Sequence, residues 1–94
     1  MRELSEQNEL VKVIEFRFDE MDEIIIGKIY KIVLTESDYK FRWKINYYCR
    51  LEEEFDAYVP GSPYGLTIEL AERSLINYVK RFENAVDWKV NNHF

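Results

Sequence analysis

Two side chains of this 94-residue chain are of the kind that do nucleophilic or acid–base chemistry near neutral pH, His93 and Cys49, and there is one of each. A histidine one residue from the last position is poorly placed to hold a catalytic geometry and reads as an exposed tail residue. Cys49 shares a parity with Trp43, Ile45 and Tyr47, so it reads as a buried, inert thiol. One Cys and one His cannot complete a zinc site from nitrogen and sulfur ligands of a single chain. Carboxylates are more abundant, in Asp19, Glu20, Asp22 and Glu23 and again in Glu52, Glu53, Glu54 and Asp56. Neither group has the Asp-x-Asn/Asp-x-Asn/Asp-Gly spacing that wraps a calcium ion, and both read as solvated hairpin turns.

A loop, Gly61-Ser62-Pro63-Tyr64-Gly65-Leu66-Thr67, precedes a helical pattern, where free amides can meet an anion. It lacks the Gly-Lys-Ser/Thr of a phosphate-binding loop and reads as a turn and cap. The expectation from these residues is a protein that is not an enzyme, with no cofactor and no metal.

The remaining chemistry is charge. Lys40, Arg42, Lys44 and Arg50 alternate with apolar residues and project to one side over roughly 33 Å at ~3.3 Å per residue, with Asn46 and Tyr48 among them. Such a stripe could track a nucleic-acid backbone with Tyr48 as a stacking platform. It could equally dock a protein, or be neutralised by Glu15, Glu54 and Asp56 from neighbouring strands. The candidate binding residues are therefore Lys40, Arg42, Lys44, Tyr48 and Arg50.

The elements that must position this stripe follow from periodicity. Ile14, Phe16 and Phe18 share one parity from Lys12 onward, a half-buried first strand. A second runs from Ile24 to Thr35 with both parities largely apolar, the pattern of a central or doubly covered strand. Thr35-Glu36-Ser37-Asp38 has turn chemistry. The third strand puts Tyr39, Phe41, Trp43, Ile45, Tyr47, Cys49 and Leu51 on its core face, and a short fourth holds Phe55, Ala57 and Val59.

Prolines 60 and 63 stop the sheet. Thr67 then caps a helix over residues 67–85, with Ile68, Ala71, Leu75, Tyr78, Val79 and Phe82 on its apolar side. Residues 87–90 alternate again, as an edge strand would. The fold class expected is α+β: an antiparallel sheet of four strands, or five with the edge strand, and one amphipathic helix on one face. It forms a single domain over 1–94, with flexible ends at 1–9 and 91–94.

Ile45-x-Tyr47, Phe55-x-Ala57-Tyr58-Val59-Pro60-x-x-Pro63, Thr67 and Ala71 together resemble the HicB-type antitoxin domain. The resemblance implies a sheet packed on a helix and the neutralisation of a small RNA-cleaving partner. It carries over no functional residue.

Net charge is −5, yet residues 28–50 are basic between two acidic flanks. The longest apolar run, Ile24-Ile25-Ile26, is far short of a membrane span and the N-terminal residues lack a signal-peptide pattern, which gives a cytoplasmic expectation and no membrane partner. The reading favoured is a small non-enzymatic protein-binding module of antitoxin, immunity or phage-inhibitor type that occupies a partner's surface, with homodimerisation open to it. The acidic balance suits a basic nuclease as that partner. The alternative is a nucleic-acid-binding domain using the basic face of the third strand.

Overall fold

A computed structural model describes residues 1–35 and 38–94, with the side chain of Asp38 left out of account. The turn expected around Glu36 and Ser37 lies outside the described residues. The chain is α+β, as its pattern predicts. Its strands are β1 (Gln7–Phe16), β2 (Ile25–Thr35), β3 (Asp38–Ile45), β4 (Tyr47–Leu51), β5 (Tyr64–Gly65) and β6 (Ala85–Val90). The helix α1 (Ile68–Val79) lies between β5 and β6 and runs on into a 3₁₀ turn, Lys80–Asn84. A four-stranded antiparallel sheet has the order β1-β2-β3-β5, and β4 pairs with β6 in a second, two-stranded sheet.

β2 is central, as its apolar parities require, and its odd positions face the helix. Ile25, Gly27 and Ile29 are buried there beside Ile14 and Phe16 of β1 and Phe41, Trp43 and Ile45 of β3. From α1, Ala71, Leu75, Tyr78 and Val79 close this core at helical spacing, and Phe82 of the 3₁₀ turn extends it. Trp43 and Tyr78 pack ring to ring at 5.8 Å. Gly27 is needed where the helix approaches the sheet, because a Cβ there would sit 2.5 Å from Leu75 Cδ2. Gly65 is needed likewise against the Ala71 backbone. Thr67 caps the helix, its Oγ1 accepting from the Leu70 amide at 3.1 Å.

Three expectations change. Regular pairing begins at Gln7, inside the arm expected to fray, because Gln7–Leu10 continue the ladder with β2; a bulge at Val11 then shifts the register. The third strand is not continuous: it breaks at Asn46, whose side chain bonds the β2 backbone, and the chain leaves for the second sheet. Phe55–Val59 forms no strand. It is tied to β4 by the Tyr58 amide donating to the Cys49 carbonyl at 3.0 Å, reinforced by Tyr78, whose hydroxyl accepts from the Cys49 amide and donates to the Tyr58 carbonyl. Residues 87–90 do form an edge strand, in the smaller sheet. No helix among the described residues is long and apolar enough to cross a membrane.

Candidate binding face

Because α1 covers the odd face of β2 and β3, the even positions are left on the open side of the main sheet. The register aligns them in rows across the three long strands. Val13, Lys28 and Lys44 form one row, Leu10, Tyr30 and Arg42 the next, and Asn8, Ile32 and Lys40 the third. Tyr64 of β5 pairs with Arg42 and extends the middle row. The β3 side of this face is therefore cationic, the middle is mixed, and the β1 edge carries Leu10 and Val13 beside Asn8. Leu10 and Val13 are each 52% exposed. Ile32 is buried although it lies outside the main core, in keeping with cover from the stems of its long-chained neighbours.

The cations lie on aromatic rings. Lys40 Nζ is 4.3 Å from the Tyr64 ring centre, Lys44 Nζ is 5.7 Å from that of Tyr30, and Lys28 Nζ is 4.1 Å from that of Phe94. Among the described residues no carboxylate is within ion-pair distance of Lys28, Lys40, Arg42 or Lys44. The acids expected opposite them are engaged elsewhere. Glu15 pairs with Arg17 at 3.5 Å, Glu54 with Arg81 at 2.5 Å, and Asp56 with Lys89 at 3.5 Å. Glu54 also accepts from the Leu51 amide, which together with Arg81 holds its carboxyl below the usual range.

Of the five candidate residues, Lys40, Arg42 and Lys44 stay together, and Tyr48 joins them from β4 across the strand break. Arg50 does not. Carried off on β4, it donates from Nε and Nη2 to Asp87 of β6 at 3.0–3.2 Å and from Nη1 to the Glu54 carbonyl. It is a neutralised structural pair that ties the two strands of the smaller sheet together.

Sequence reasoning missed Lys28, Tyr30 and Tyr64, and it left His93 in a loose tail. The parity of Lys28 and Tyr30, opposite to Ile25 and Ile29, gave no clear signal, because Lys31 stands on the other parity. The tail has none, because only the fold brings it back. Asn91 is 8% exposed and donates its side-chain amide to the Ile45 carbonyl at 2.8 Å. Its own Oδ1 accepts from the His93 amide at 2.9 Å. Residues 91–94 are thereby laid against the end of β3.

At that end a cleft of about 190 Å³ opens between Arg42, Lys44, Tyr48 and His93, with Pro60 and Pro63 on its far side. A second cleft of about 330 Å³ lies across Trp43 and Pro60, toward Tyr58, Asn77 and Arg81. Cys49 is buried and its thiol is pushed up by that burial, which removes it from nucleophilic chemistry. Among the described residues no three His, Cys, Asp or Glu side chains converge on a point. Comparison with protein-family models, with curated proteins and with solved structures finds no match to this chain.

Proposed function

We propose that this chain is a non-enzymatic protein-binding module, of antitoxin, immunity or inhibitor type, that works by covering a partner's surface with the open face of its main sheet. The observation that carries this reading is the row arrangement: unopposed cations on β3 and β2 beside exposed Leu10 and Val13 on β1. Protein interfaces combine an apolar patch with charged groups in this way.

Net charge had pointed to a basic partner. The face itself is positive, so the contacting surface of the partner is acidic, while Glu54 and Asp56 are held in internal pairs. Nucleic acid is the second reading, favoured by the same cations. Against it, the Tyr30 and Tyr64 rings already carry lysine ammonium groups, and the β1 side of the face exposes Leu10 and Val13 where a backbone binder would be wet and basic.

The test is capture from the native host with three tagged forms. These are the wild type, the face variant Lys40→Glu/Arg42→Glu/Lys44→Glu, and the helix variant Arg73→Glu/Lys80→Glu. A stoichiometric protein retained by the wild type and the helix variant but lost by the face variant, and unaffected by nuclease, supports the reading. Retention that disappears on nuclease treatment replaces it with the nucleic-acid reading.

A further inference from the structure

The cleft beside His93 has a chemistry of its own, although it shares Arg42 and Lys44 with the docking face. Arg42 is half-buried, yet among the described residues its guanidinium makes no hydrogen bond, and its Nε is shielded from solvent with no acceptor. Arg17, Arg50 and Arg81 each donate to a carboxylate, although the Nε of Arg81 is likewise shielded with no acceptor. Of the five donors of a guanidinium, the Nε–H here is the one left unmet out of water, which is costly. Lys44 borders the same cleft, also without a carboxylate partner, and with Arg42 it supplies two fixed positive charges.

The walls are firmly held. Pro63 is fixed to β3 by the Trp43 amide, which donates to its carbonyl at 2.9 Å, and His93 is fixed through Asn91. Tyr48 offers a hydroxyl and His93 an imidazole, both able to bond an oxyanion.

We propose that this cleft is a phosphate-binding site for a small phosphomonoester, with Arg42 as the bidentate donor and Lys44 as the second charge. Two cations match a dianion better than a monoanion, and planar Arg suits phosphate oxygens. The cleft, of about 190 Å³ and open to solvent, admits a phosphate with a small organic remainder.

Amide and guanidinium resonances of the ¹⁵N-labelled chain, titrated with inorganic phosphate at constant ionic strength set with sodium chloride, test this directly. The expected result is a saturable set of shifts confined to Arg42, Lys44, Tyr48, Asn91 and His93. Acetate should bind weaker by about tenfold or more, and Arg42→Gln, with its circular dichroism unchanged, should weaken phosphate by a similar factor. Arg73→Gln, on the exposed side of the helix, should leave binding unaltered. Shifts that stay linear in phosphate, that chloride reproduces, or that acetate matches in the wild type would overturn the assignment whether or not the variant folds.

Discussion

Asn91 donates its backbone amide to the carbonyl of Asn46 at 2.8 Å, joining the end of the chain to the point where the third strand breaks. Asn46 in turn takes the place of a strand residue beside β2. Its Oδ1 accepts from the Ile26 amide at 2.8 Å, its Nδ2 donates to the Ile24 carbonyl at 2.9 Å, and its own amide donates to the Ile26 carbonyl at 3.1 Å. These two asparagines let one alternating run serve two sheets, and they bring Tyr48 and His93 to the cationic end of the open face.

Replacing either residue by alanine orphans backbone groups at the junction. Asn46→Ala should cost about 2–4 kcal/mol, and Asn91→Ala about 1–3 kcal/mol, since each buried unmet group costs ~1–3 kcal/mol. Urea unfolding should show a lower midpoint with an unchanged slope. The double variant should lose less than the sum, because the two share one contact point.

Gly27 sets how closely α1 approaches the sheet, and the atoms in the way of a Cβ belong to the movable end of Leu75. Gly27→Ala should therefore destabilise by about 1–3 kcal/mol, as overpacking does. Combined with Leu75→Ala, its cost should shrink or reverse sign, which the same unfolding measurement reads.

Glu54 has a folded-state pKa below its ordinary value, first because of the Leu51 amide and then through Arg81. Asp56 is lowered as well, by the Ala57 amide and Lys89. A group lowered in the folded state stabilises it above the unfolded pKa and loses that contribution as pH falls through the folded one. Stability should fall as the pH drops below the ordinary carboxylate range of about 4.5. In Glu54→Gln the slope of unfolding free energy against pH should be shallower in that window.

Cys49 is fully buried and its thiol is raised by burial, so it should react with iodoacetamide only through opening of the fold. Labelling followed by mass spectrometry should be slow for the wild type at pH 8 and should quicken in Asn46→Ala by about tenfold for each ~1.4 kcal/mol of stability lost.

The pattern of the sequence reaches the start of the helix to the residue, because Thr67 and the spacing of Ala71, Leu75 and Tyr78 are local signals, but it carries the helix to residue 85 where α1 ends at Val79 and a 3₁₀ turn follows. It reaches the first three strands for the same reason. It does not reach the break at Asn46, since Tyr47, Cys49 and Leu51 keep the parity of Trp43 and Ile45 across it; a period of two carries no mark of a change of sheet. Phe55, Ala57 and Val59 alternate just as well but make no ladder, because α1 follows after a short connection and Tyr78 holds the segment instead. β2 is apolar on both parities, so only packing against Leu75 decides that Ile25 and Ile29 go inward and Lys28 and Tyr30 outward. Arg50 looked like part of the stripe because its partner, Asp87, is far away in sequence.

The central claim is that the open face of β1, β2 and β3 is the docking surface. Hydrogen exchange of the chain, free and in the complex recovered from its native host, tests it most directly. The account predicts slowed exchange in residues 8–14, 26–32 and 40–44, with α1 unchanged. Protection confined to α1 and the 55–63 segment, leaving the three strands as in the free chain, would contradict it.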